Sequence, residues 1–322
     1  MQGSRLALRG LISISVAEPT GVEAHPRNEA IQVPCSTINC PTNGRNGWIS
    51  SHWSDSPAVS RCWLSISPWE AALTPTPIRQ VLSTFQKSGV RTLLMGGQAC
   101  VFYGAAQVSK DIDFLVLADQ ENFIRLEAAL ATLQASRIAV PPFDPAALER
   151  GHAVHFRCRA PGAEGLRVDV MTRLREMPAF HVLWDRRTTF VDDHNTEYHL
   201  LCIPDLVRAK KTQRSKDWPV IELLVTIHNR EHGALPTDAH IDFWLCEART
   251  PELLVELCAR FPDRTHKLQV SRPLLQLTSE RSLDELRAAL DAEVRSEQSR
   301  DRVYWEPLRR ELEQFRREHR EP

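Results

Sequence analysis

No stretch of the chain approaches the roughly 18 consecutive apolar residues that a helix needs to cross a bilayer, and this excludes a helical membrane span. The nearest approach, Leu11 to Ala17, is short and interrupted by Ser13 and Ser15. Arg5 and Arg9 ahead of it only faintly imitate a secretory signal, and no small-residue cleavage site follows. The expected location is therefore cytoplasmic. No C-x-x-C pair occurs among the eight cysteines, which disfavours a zinc knuckle or a redox pair. Cys100, Cys158, Cys202, Cys246 and Cys258 each stand in an apolar segment and read as reduced core thiols. Nor is there a surplus of either charge: a formal net charge of -1 leaves no global field to attract nucleic acid or an anionic membrane, so any phosphate binding must be local.

Lysine is missing from residues 1 to 70, which hold eleven serines, six prolines and four of the eight tryptophans without helical or alternating periodicity. Such a composition rarely buries a core of its own. The segment is read as an irregular, disorder-prone leader, and its Cys35, Cys40 and Cys62 as unpaired thiols.

What is present begins at Thr76. Pro77 suits the first turn of a helix, and Ile78, Val81, Leu82 and Phe85 follow with helical spacing. Val90 to Met95 is a strand candidate stopped by Gly96-Gly97, and Gln98 to Tyr103 a short helix. Asp111 to Leu117 forms a second strand, and Asn122 to Leu133 an amphipathic helix. The runs Ala153 to Cys158 and Leu166 to Met171 flank a turn at Pro161 to Gly165. Beyond Ile203-Pro204 the pattern is helical: Asp205 to Arg214, Val220 to Asn229, Asp238 to Leu245, Pro251 to Arg260 and Leu283 to Phe315. This predicts an α/β (α+β) fold, with a mixed-sheet core over 71–203 and a helical C-terminal domain over 204–322. Between Arg295 and Pro322, eight arginines interleave with seven acids, the pattern of a solvated helix.

Chemistry concentrates in Met95-Gly96-Gly97 and, thirteen residues later, Asp111-Ile112-Asp113. Strand residues two apart share a face, so Asp111 and Asp113 project together while Ile112 and Phe114 enter the core. Two adjacent carboxylates repel unless a cation lies between them, and hard oxygen donors favour Mg²⁺ or Mn²⁺. In Leu166 to Met171, Asp169 faces away from Val168 and Val170 and could supply a third carboxylate to the same ions. Glycines after a strand let backbone N–H groups approach phosphate, aided by the N-terminus of the next helix.

The ordered set of Gly-Gly turn, Asp-x-Asp strand and third acidic strand residue resembles the DNA polymerase β-like nucleotidyltransferase superfamily over about Arg91 to Glu222. It looks closest to the small bacterial AbiEii-type and minimal nucleotidyltransferases. The resemblance implies catalytic and metal-binding roles for Asp111, Asp113 and Asp169, and nucleotide contacts from Gly96 and Gly97, with Ser109 and Lys110 as this chain's own candidates for further nucleotide contacts. It matches Lys210 in the segment Pro204 to Asp217 to the family's helix lysine. It further implies an NTP substrate, a hydroxyl acceptor such as an RNA end, protein or small molecule, and a cognate antitoxin-like partner. The chain departs from the family at Gln107, where a basic residue is often found, leaving Ser109 and Lys110 as the nearest polar groups.

Each reading has a structural counterpart. Lys210 and Arg214, four apart on the expected helix, could clamp a triphosphate or simply pair with Asp205 and Asp217. Asp169 could bind metal or pair with Arg167 or Arg173. His152 and His155 could serve as base or ligand, or be structural. At the level of function, a catalytically silent transferase-fold binding module and a metal-dependent nuclease are the competing classes.

Overall fold

The computed structural model describes residues 64–65, 76–192, 196–278 and 282–318. The leader, including its three cysteines, lies outside the described residues except for Leu64–Ser65 (β1), which runs parallel beside Phe190 and Val191. The expected α/β class is correct: one mixed sheet packs against helices, and the C-terminal part is helical. In chain order follow α1 (Thr76–Lys87), β2 (Thr92–Met95), α2 (Gly96–Phe102), β3 (Asp111–Val116), α3 (Gln120–Thr132), β4 (Ser136–Arg137), α4 (Pro145–Glu149), β5 (Val154–Arg157), β6 (Arg167–Met171), α5 (Phe180–Asp185), β7 (Thr188–Val191) and β8 (Glu197–Leu200). Helices α6 (Ile203–Ala209), α7 (Trp218–His232), α8 (Asp238–Glu247), α9 (Pro251–Arg260), α10 (Pro262–Leu268) and α11 (Leu283–Glu318) complete the chain.

The strands are ordered β1-β7-β8-β2-β3-β6-β5-β4. At the centre, β3 lies antiparallel to β2 and parallel to β6, with Asp113 opposite Asp169. Leu93, Leu94, Ile112, Phe114, Leu115, Val168 and Val170 are buried, because helices cover the apolar positions of these strands. Phe85 of α1 stacks on Phe114 at 4.7 Å. Asn122, fully buried, pins α3 to the sheet: it accepts from the Arg91 N–H (2.7 Å) and donates to the carbonyls of Arg91 and Leu117.

One continuous apolar cluster runs from Ile78 of α1 to Leu290 of α11, so the C-terminal helices share a core with the sheet. Two expected features are corrected. The helix predicted over Asp205 to Arg214 is Ile203–Ala209, because Thr212 and Asp217 compete for the chain with side-chain hydrogen bonds. The Thr212 hydroxyl donates to Asp217 (2.6 Å), while the Thr212 carbonyl accepts from the Trp218 indole (3.1 Å). The last helix is not simply solvated: Asp301 within it is buried, accepting from the Gln213 N–H (2.8 Å) and the Trp305 indole (3.0 Å). Among the described residues no helix is long and apolar enough to cross a membrane.

Candidate active site

The close pairing of β3 with β6 builds the floor of a cavity of about 370 Å³. Residues opposite one another on adjacent strands point to the same face. Asp111 therefore stands beside Arg167, Asp113 beside Asp169, and His155 of β5 beside Asp169 from the other flank. Asp111, Asp113, Asp169, Gly96, Gly97, Ser109, Lys210 and Arg214 all line this cavity. Lys110 does not; it lies in the bend before β3 and is exposed, so the structure does not bring it to the expected site.

The Gly-Gly step packs directly on the carboxylates. Gly96 has φ of +66°, and a Cβ there would lie 1.9 Å from Asp113 Oδ2; a Cβ on Gly97 would lie 2.6 Å from Ser109 Oγ. Only glycine lets α2 begin this close to the acid, with the Gly97 N–H hydrogen-bonded to Asp113. Burial pushes the Asp113 carboxyl up to about 6, and the neighbouring Asp169 adds to this, against the pull of Lys210. Neither Asp111 nor Asp113 has an ion-pair partner among the described residues.

Asp169 is held differently. Arg167 forks onto it from Nε (2.7 Å) and Nη2 (2.8 Å), and His155 Nδ1 lies 2.8 Å from its Oδ1. Burial alone would raise Asp169, but the His155 and Arg167 hydrogen bonds outweigh it and hold the acid below its usual range. The Arg167 alternative raised from sequence is thus realised, while Arg173 instead donates to the Glu149 carbonyl. His152 is structural: it is buried and its Nε2 lies 2.8 Å from Glu311 Oε2.

Lys210 and Arg214 do come together, though not as neighbours on a helix face. Lys210 caps the end of α6, and both cations converge on buried Asp217, at 3.3 and 2.7 Å. Burial pushes Asp217 up, but Lys210, Thr212 and Arg214 together bring it below its usual range. Asp205 is taken by Arg186 in a two-pronged pair, both contacts at 2.6 Å. Lys210 is buried against its acid, whereas Arg214 and Lys216 are exposed at the cavity rim.

Several wall residues were not expected from the sequence. Arg175, Asp301 and Trp305 reach the cavity from elements remote in sequence; Arg175 Nε lies 3.4 Å from Asp301 and Arg175 Nη2 donates to the Lys211 carbonyl (2.9 Å). Only the odd helical placement of Asp301, on a face with Trp305 and Leu308, hinted that α11 is anchored there.

The donor set fits a hard divalent cation. Asp111 and Asp113 are carboxylates without ion-pair partners on one face, with Asp113 carrying an uncompensated electrostatic cost that such a cation removes. Asp169 stands on the same floor, but both of its oxygens already accept from Arg167. Set against protein-family models, characterised proteins and solved structures, the chain shows no significant match.

Proposed function

We propose that the chain is a Mg²⁺- or Mn²⁺-dependent nucleotidyltransferase of the DNA polymerase β-like type, moving an NMP group from an NTP to a hydroxyl acceptor. The observation that carries this reading is the register of β3 with β6, which gathers Asp111, Asp113 and Asp169 on one cavity floor directly under the Gly96-Gly97 start of α2. Asp111 and Asp113 hold the metal, and Asp169 completes the set once Arg167 swings off it. When bound, the metal supplies positive charge that offsets the charge developing on phosphoryl oxygens during an in-line displacement.

The chain's own groups do the remainder. The N-terminus of α2 lines the cavity beside Ser109, whose hydroxyl donates to the Asp111 carbonyl (2.9 Å), and Arg214 and Lys216 provide exposed positive charge at the rim. Lys210, neutralised by Asp217, positions the rim loop more than it contributes net charge. Released Arg167 is within the same wall and can follow the phosphate oxygens. The acceptor oxygen forms a bond to the α-phosphorus, the bond from that phosphorus to the β-phosphate bridging oxygen breaks, pyrophosphate leaves, and the hydroxyl proton is released.

The saturated pairing of Asp169 favours one other reading, a catalytically silent transferase fold that acts as a binding module for an antitoxin-like protein. Titrating ATP, GTP, CTP and UTP with Mg²⁺ into the wild-type chain and into an Asp111→Asn, Asp113→Asn variant separates the two. Metal-dependent nucleotide binding that disappears in the variant supports the transferase. Absence of binding by all four nucleotides overturns it in favour of the module.

A further inference from the structure

Helix α7 begins beside Asp217 in the cavity wall and carries His228 and His232 in its last two turns, about 15–21 Å further along its axis at 1.5 Å per residue. His240, in the first turn of α8, closes on the same point. One ring nitrogen from each of the three lies within 4.8 Å of the others. The ring centres are 4.5, 5.1 and 4.4 Å apart. A Zn–N bond of about 2.0–2.1 Å puts each ring centre roughly 3.2 Å from the ion, so ligands at about 90–110° have centres about 4.5–5.2 Å apart, the spacing found here. His232 Nε2 is buried and has no hydrogen-bond partner, an orphan that a metal would satisfy.

We propose that His228, His232 and His240 form a Zn²⁺ site that staples the end of α7 to the start of α8, with the fourth tetrahedral position left to solvent. Imidazole donors with no carboxylate among them select a borderline ion such as Zn²⁺ and not the Mg²⁺ suited to the cavity acids. The metal competes with two hydrogen bonds: His228 Nδ1 accepts from the Trp244 indole (2.8 Å), and His240 Nδ1 accepts from the Thr237 N–H at a long 3.4 Å. Coordination at His228 Nε2 moves the ring proton to Nδ1, so Trp244 loses its acceptor. Tryptophan emission therefore reports on binding.

The test uses the full chain, stripped with chelator, carrying Asp111→Asn and Asp113→Asn so that the cavity acids cannot hold the metal. Dialysis against ZnCl₂ should leave one Zn²⁺ per chain with a change in tryptophan emission, and Co²⁺ should give a tetrahedral visible absorption. His232→Asn should weaken Zn²⁺ binding at least tenfold, with the metal-free circular dichroism showing that the fold is kept although the ring contacts to His228 and His240 are lost. No bound Zn²⁺ on this background, or equal affinity in the His232→Asn chain, overturns the site and leaves a stack of neutral imidazoles.

Discussion

Replacing Asp113 with asparagine should make the metal-free protein more stable at neutral pH, an unusual outcome for a cavity residue and one that follows from its electrostatics. Asp113 ionises near 3.8 in the unfolded chain but only near 6 when folded, because it is largely desolvated, though not fully buried, and faces Asp169. A group whose folded value is raised keeps its proton longer in the native state, so ionisation of the unfolded chain draws stability away as pH climbs between about 4 and 6. Above pH 6 the loss is complete. With about 1.4 kcal/mol per pH unit, the ionised carboxylate costs the fold about 3 kcal/mol at pH 7.5 and about 1 kcal/mol at pH 4.5. Asparagine keeps the acceptor oxygen for Gly97 but carries no charge. In EDTA at pH 7.5 the Asp113→Asn chain should therefore melt higher than wild type by several degrees, up to about 6–12 °C for a folded unit of this size. At pH 4.5 the gap should shrink to about a third. Adding Mg²⁺ should raise the wild-type midpoint and leave the variant unmoved. Melting followed by circular dichroism at the two pH values decides this. An asparagine chain no more stable than wild type at pH 7.5, or a gap that does not change with pH, refutes the assignment of Asp113 as the strained acid.

Gly96→Ala should lower stability by at least about 1–2 kcal/mol through its positive φ alone, and should abolish Mg²⁺-induced stabilisation because its Cβ displaces Asp113; thermal melts with and without Mg²⁺ check both effects. Arg167→Gln should lower metal-free stability modestly, as its side chain is partly exposed, yet enlarge the Mg²⁺-induced shift by freeing Asp169, a pair of opposite changes readable in one titration. Asp217→Asn should cost about 3–5 kcal/mol by leaving buried Lys210 without its acid, and nucleotide affinity should fall with it, measured calorimetrically. Asp301→Ala should loosen α11 from the cavity wall, since Gln213, Trp305 and Arg175 all lose their common partner; faster amide exchange in residues 298–308 is the expected readout.

Residue order alone determined everything that rests on local periodicity. The two-residue alternation of Asp111-Ile112-Asp113-Phe114 set which side chains leave the core, and the helical spacing from Ile78 to Phe85 set the face that Phe85 turns to Phe114. The glycines after β2 marked where backbone must approach closely. Tertiary structure decided the rest, because it depends on which distant segments meet. Register placed Asp113 opposite Asp169 and Asp111 beside Arg167, whereas the Arg167–Asp169 pair is local, two residues apart on one strand face, and was legible in the sequence. The hairpin of β7 and β8 carries no strong local signature, being two four-residue strands separated by charged residues. Helix α6 stopped at Ala209 because Asp217, eight residues on, offered Thr212, Lys210 and Arg214 a shared buried anchor that propensity cannot see. The three histidines met only because α7 and α8 fold back on each other, and the cavity wall gained Trp305 because α11 crosses back over the start of the helical region. Local patterns choose the faces of strands and helices; the energy of burying those faces against one another chooses the neighbours, and chemistry at a site belongs to neighbours.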